Sequence, residues 1–388
     1  MRIATLSLLF AFACSSTETV APTPDAGGGD AAASLSALGL NDVSILLPLP
    51  ANPAAPGTLG PEDSGAKGAL LPLALYDKVP PFGVKPAEGL DYARMRVVAI
   101  RFDGCFPRPS GCEAQVRLVM QPITDEGATL DSALHLFYVL TEAELAKLVP
   151  AIRRLRALAP ELKSDSPLDV SAALAAQGLD GAYGKALRAL VLEHAGEENL
   201  VRMTFFLRAP PRQEEWFFGG LERIDGTFKQ MDIVGVGKTN QRVNRPVAAS
   251  GYTYTFTPAP TVPEDIQVLL TTEDAKAATT EARTAALSAL ARIENPTKYG
   301  PDNLSCAGCH VSTFVAESIK NDHGLDIAMT PDAYKSPRNL ARQGAAATTP
   351  SSLRAFGYFG GAPMIGNRVI YESASVVDDL EKRFPSSR

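Results

Sequence analysis

Short apolar runs with the two-residue alternation of half-buried strands recur through the first two thirds of the chain. They lie at 95–102, 116–120, 133–140, 200–208, 216–218, 227–234 and 252–256, all rich in β-branched and aromatic residues. The first two flank a Gly/Pro/Ser-containing segment, 103–112, and read as a hairpin; together the runs predict a largely antiparallel sheet. Helical spacing interrupts them twice. Thr141 and Glu144 form a capping box ahead of Leu145, Leu148, Val149, Ile152 and Leu155, with Pro150 expected to kink or divide that helix. Leu187, Leu190 and Val191 mark a second helix over 183–194. After a proline-rich stretch, 258–263, the period becomes helical throughout. One long helix is predicted over 273–294 (Ala282, Ala286, Leu287, Leu290, Ile293), a second over 304–319 with Ser305 as cap, and a third over 372–384. The fold class is α+β: an N-terminal sheet domain with helices at 39–261, then a small all-α domain at 262–388.

The amino terminus follows a different pattern. A charged Met1-Arg2 start, an apolar stretch from Leu6 to Ala13 and then Cys14 describe a secretory signal over 1–14, too short for an ordinary transmembrane helix. Ala11-Phe12-Ala13-Cys14 resembles a bacterial lipobox, which makes Cys14 the expected lipidation site; a plain cleaved signal is the alternative. Ser15 and Ser16 resemble the start of lipoproteins sorted to the outer membrane. Residues 15–38 carry Thr, Pro, Ala, Ser and a triple glycine with almost no large apolar side chain, the composition of a flexible tether. The expectation is an exported protein, periplasmic or at the cell surface, held to a membrane through lipid.

Composition adds exclusions. At 45% hydrophobic and 21% charged residues the chain is ordinary for a globular protein, and a net charge of −6 without a basic stripe argues against a nucleic-acid partner. No GxSxG, Walker or HExxH run is present. The run from Gly235 to Thr239 lacks the first glycine of a phosphate loop and reads as a turn. His135, inside a strand-like run, and His194, at a helix end, read as packed or capping residues.

The five cysteines carry the chemistry. With Cys14 assigned to lipid, Cys105 and Cys112 are left as a pair across a short loop, expected as a disulfide in an oxidising compartment; a redox-active dithiol beside Arg108 is the alternative, without CxxC spacing. The remaining two stand in Cys306-Ala307-Gly308-Cys309-His310. CxxCH places two thiols one helical turn apart, within reach of the two vinyl groups of one haem, with the following histidine beneath the iron. A small disulfide, or zinc held with His310 and a fourth ligand, are the competing uses, the latter without the usual second Cys or His pair.

A CxxCH helix early, irregular chain next and a terminal helix resemble a class I c-type cytochrome over about residues 270–388. The resemblance implies one haem c, thioether bonds at Cys306 and Cys309, His310 as axial iron ligand, and a methionine as sixth ligand shortly before the last helix. Met364 occupies that place, with His323 and Met329 as competitors and an open position as the remaining alternative. Arg338, Arg342 and Tyr334 are candidates to meet the propionates, and Phe356, Tyr358 and Phe359 to line the haem. The function implied is electron transfer with a redox partner protein, not catalysis. An enzyme using the N-terminal domain for substrate, or a non-catalytic surface-binding lipoprotein, are the alternatives.

Overall fold

The computed structural model describes residues 37–386 apart from 80–90, 109–110, 130, 160, 209–214, 246–253, 257–258, 261, 263, 343, 345 and 347–352. The signal, Cys14 and most of the tether lie outside the described residues. Leu38 is already fully buried, and its N–H donates to Glu381 at 2.7 Å, so packed chain begins within the expected tether.

The runs from 95 to 234 form β2 (Met95–Arg108), β3 (Gly111–Pro122), β4 (Ala133–Leu140), β5 (Leu200–Arg208), β6 (Glu215–Ile224) and β7 (Thr227–Gln230); β1 (Ser44–Leu46) and β8 (Asn240–Asn244) arise outside the expected runs, while in 252–256 Thr255 makes only an isolated bridge to Thr271. Strands β1 to β8 make one eight-stranded antiparallel sheet in the order β1-β2-β3-β4-β5-β6-β8, with β7 also paired to β6. Because cross-strand partners share a face, the register sorts the two surfaces. One face carries Ile100, Leu118, Leu136, Met203 and Leu221 in a row. These belong to one buried cluster with Leu145, Leu148 and Ile152 of α1 (Glu142–Ala157) and Leu187 and Val191 of α2 (Ala182–His194). The other face carries Arg101, Arg117, Phe137, Arg202 and Glu222 in one row, and Val119, His135, Thr204 and Gly220 in the next.

Local chemistry explains where expectation and structure part. α1 runs unbroken through Pro150, and its Thr141–Glu144 capping box is formed in both directions. The single helix expected over 273–294 is two, α3 (Thr272–Ala277) and α4 (Thr280–Glu294). Thr271 Oγ1 accepts from Asp274 N at 2.9 Å and Thr279 Oγ1 from Ala282 N at 3.2 Å, so each piece has its own cap and extended residues separate them. α5 (Cys306–His323) and α6 (Asn367–Arg383) follow.

The region after 262 is not all-helical. Phe356–Phe359 (β9) and Ala362–Ile365 (β10) form a hairpin in which Gly357 takes φ +140° and Gly360 φ +59°. A Cβ at Gly357 would stand 2.4 Å from Gln121 Oε1. Glycine there lets the Gln121 side chain grip both backbone groups of Tyr358, accepting from its N–H at 2.7 Å and donating to its carbonyl at 2.9 Å. The boundary expected at 261/262 is bridged. Residues 35–388 form one compact unit, and Val369, Ile370, Val377 and Leu380 of α6 belong to the same buried cluster as Val98 and Ile100 of β2.

Cys105 and Cys112 are joined as expected, near the turn of the β2–β3 hairpin. Cys105 lies where the register shifts between Asp103 and Phe106, so the bond secures an irregular stretch of ladder. With a sequence separation of seven, replacing both cysteines by serine is expected to lower the unfolding free energy by about 2.5 kcal/mol. Urea midpoints of the oxidised protein and the double variant measure it.

Candidate functional site

The charged and aromatic face of the sheet lies under α5. Ser305 caps this helix, accepting from Gly308 N at 3.1 Å, and Gln241 of β8 accepts from Ala307 N at 2.9 Å. Gln241 faces Phe218 across the β6–β8 ladder, and Phe218 faces Phe206 across β5–β6, so the sheet grips the CxxCH turn at its first residues. That turn opens on a cavity walled by α5, the first turn and a half of α6, the segment Leu353–Phe356, and Arg117, Val119, His135, Phe137, Arg202 and Thr204 of the sheet.

Cys306, Cys309 and His310 all border this cavity. The two thiols are not joined to each other. Burial pushes the Cys306 thiol up to about 11 and that of Cys309 to about 12, so both are neutral thiols at neutral pH. His310 Nδ1 lies 2.8 Å from the Leu353 carbonyl. Since a carbonyl only accepts, Nδ1 is the protonated nitrogen, and Nε2 keeps its lone pair for a metal. Burial, with Arg354 adding to it, lowers the His310 pKa to about 4, leaving the ring neutral as ligation requires. Phe206 stacks on His310 with ring centres 5.1 Å apart and planes 12° from parallel, and Phe218 lies at 5.1 Å on a tilted plane. His135 completes the set, its ring 6.4 Å from that of His310 and only 7° from parallel.

The cavity is lined by arginines whose charges are each met by a carboxylate, Arg117 pairing with Asp103. Arg101, Arg117, Arg202, Arg354 and Arg368 line it, against Glu372 as the one acidic lining residue. Glu372 ion-pairs with Arg101, with Arg368 at 2.8 Å and with Arg117 at 3.8 Å. Arg202 pairs with Glu222 at 2.7 Å and Asp302 at 3.2 Å. Arg354 pairs with Asp131 at 3.4 Å, both side chains fully buried. Apolar walls come from Val119, Leu304, Phe314 and Val369. Two thiols and an oriented imidazole from one helical turn, apolar walls and several guanidinium groups are the donor set a covalently held, dianionic, iron-bearing macrocycle needs; the residues fit haem c. Among the described residues no group of three or more His, Cys, Asp and Glu side chains is gathered to hold a metal ion by itself.

The other expected site residues lie elsewhere. Met364 is fully buried on β10 opposite Gly357 and does not reach the cavity wall. His323 ends α5, thirteen residues after His310 and so about 20 Å along the axis, beyond sharing a metal with it. Met329 is 81% exposed. Arg338 donates to Asp378 at 2.7 Å and Arg342 to the Ile365 carbonyl at 2.9 Å, while the Tyr334 ring packs on Tyr371 at 5.3 Å; none of the three borders the cavity. Of the aromatic trio only Phe356 lines it, whereas Tyr358 donates its hydroxyl to the Leu47 carbonyl at 2.6 Å and Phe359 lies under Arg208. The arginines that do line the cavity come from β2, β3, β5, the Leu353–Phe356 segment and α6, brought together by register and not by sequence spacing. His135 and Arg117 carried a usable signal, a charged or titratable residue inside an apolar strand run.

No family model, curated protein or solved structure matches this chain.

Proposed function

We propose that this chain is an exported c-type cytochrome with one haem c, held to a membrane through lipid on Cys14, that transfers electrons to or from a redox partner protein. What carries the reading is the CxxCH turn opening, with Nδ1 of His310 already engaged by Leu353, onto a cavity lined by five arginines. Cys306 and Cys309 would hold the haem through thioethers, and His310 would bind its iron. The group supplies reversible one-electron exchange between ferric and ferrous iron.

The protein's own contributions follow from the geometry. Leu353 fixes the tautomer and direction of the His310 ring. Arg101, Arg117, Arg202, Arg354 and Arg368 are the groups placed to meet two propionates, replacing Arg338, Arg342 and Tyr334 in that role. Phe206, Phe218 and Phe314 keep water from the His310 side. The sheet serves as the far wall of the haem site, a role that accounts for the larger part of the chain without invoking a substrate.

Full-length protein produced in a host competent for c-type maturation should carry one haem per chain that survives acid–acetone extraction and gives a pyridine haemochrome spectrum. Cys306→Ala/Cys309→Ala should carry none. Absence of covalent haem in the native chain would sink the reading. Among the described residues no helix is long and apolar enough to cross a membrane. If Cys14 is the anchor, Cys14→Ser should move the haem-bearing protein from the membrane fraction to the soluble one.

A further inference from the structure

Resting on the haem reading just given, we propose that His135 of the central strand β4 is the second axial ligand, binding the iron from the sheet side opposite His310. Two imidazoles bound to one metal at about 2.0–2.1 Å each, in line through it, have ring centres about 6 Å apart. The rings of His135 and His310 both line the cavity, stacked with centres 6.4 Å apart and planes 7° from parallel, so the spacing suits one iron and each ring would turn about χ2 to aim its Nε2 at the metal. His135 is positioned as a ligand is. Its Nδ1 lies 3.3 Å from the hydroxyl of Thr204, its cross-strand partner; in the tautomer in which Nδ1–H donates to that oxygen, Nε2 carries the lone pair an iron takes. The neighbouring β strands hold the backbone of β4 on both sides, so the ligand sits on a rigid element.

Sulfur competes weakly here. Met364 is away from the cavity, and Met231, which does line it, packs its sulfur against Gly220, where an added Cβ would stand 2.5 Å from Sδ. A bis-histidine iron has no open position, so the site is built to pass electrons and not to bind peroxide or oxygen, and its potential lies below that of a His/Met iron in the same protein.

The test uses the full, haem-loaded chain. Native protein should be low-spin in both oxidation states by optical and electron paramagnetic resonance spectra, lack the far-red band of thioether ligation, and leave added carbon monoxide unbound when reduced. His135→Ala should retain one covalent haem per chain, become predominantly high-spin, bind carbon monoxide, and recover the low-spin spectrum on adding imidazole. His135→Met, which keeps a ligand and the packing volume, should stay low-spin, gain the far-red band and shift its midpoint potential upward. Met231→Leu should leave the native spectrum unchanged. Covalent haem at full load with an unaltered spectrum in both His135 variants, or loss of the low-spin signal in Met231→Leu, would overturn the ligand assignment while leaving the cytochrome reading intact. Failure of the native chain to take up any covalent haem would overturn both.

Discussion

Glu372→Gln is expected to destabilise the full chain by about 3–5 kcal/mol, measured as a lower denaturant midpoint at unchanged slope. The Glu372 carboxylate is the hub of the cavity's charge network, in contact with Arg101, Arg368 and Arg117, with a side chain only 18% exposed. Arg101 and Arg368 are themselves buried, so a neutral amide in place of the carboxylate leaves both charges facing one another without the anion they share, while Arg117 keeps its ion pair with Asp103. Removing one partner of such a set costs more than the set contributes net, because the desolvation penalty of the survivors is no longer offset. The same carboxyl sets a pH limit. Burial alone would raise its pKa, but Arg368, Arg101 and Arg117 together bring it down to about 2. The folded value lies below the unfolded one, so the ionised form favours folding. Its contribution, about 3 kcal/mol, is complete above roughly pH 4.5 and is lost as pH falls through about 2. Between those limits the native protein should lose stability more steeply than Glu372→Gln, and the two curves should converge near pH 2.

What the sequence revealed and what it concealed divide along a physical line. The period-two runs 95–102, 133–140 and 200–208 each became a strand within a residue or two of expectation except at the disulfide, where the ladder runs on toward Cys105 and Arg108. Thr141, Ser305 and the CxxCH spacing announced themselves because a cap or a tandem thiol pair is written in consecutive residues. Register is not. His135 looks like any packed histidine until the ladder places Thr204 opposite it and the helix carrying His310 is laid over both. Arg101, Arg117, Arg202 and Arg368 lie far apart in sequence and share one cavity solely because of strand order and the return of α6 onto β2. Met364 illustrates the converse: sitting in the expected place along the chain, it is drawn into a glycine-dependent hairpin that turns it away from the cavity. Sequence distance from a terminal helix is therefore a weak guide once a sheet supplies the opposite wall.

Asp131→Asn is the second substitution expected to cost about 3–5 kcal/mol, and for a reason that links the sheet core to the segment against α5. Asp131 accepts from Trp216 Nε1 at 3.0 Å and pairs with Arg354 at 3.4 Å, both side chains of the ion pair being fully buried. Burial draws the Arg354 pKa down to about 10, with Asp131 working against that fall. The guanidinium also lies over the Phe206 ring at 4.4 Å, the same ring that stacks on His310. Asparagine preserves volume and an acceptor for the indole, so the expected loss isolates the charge left on Arg354 from any cavity effect. A double variant, Asp131→Asn/Arg354→Met, removes both charges while keeping the acceptor for the Trp216 indole, and should regain most of the stability lost in Asp131→Asn, since an apolar chain of similar length replaces the stranded guanidinium. Guanidinium melts of the single and double variants decide it: equal losses in both would show that Asp131 matters through packing and the Trp216 hydrogen bond, whereas recovery in the double variant identifies the stranded arginine as the source. Leu353 immediately precedes Arg354 and supplies the carbonyl that holds His310, so the buried pair that stabilises the core also fixes the chain segment orienting the His310 ring.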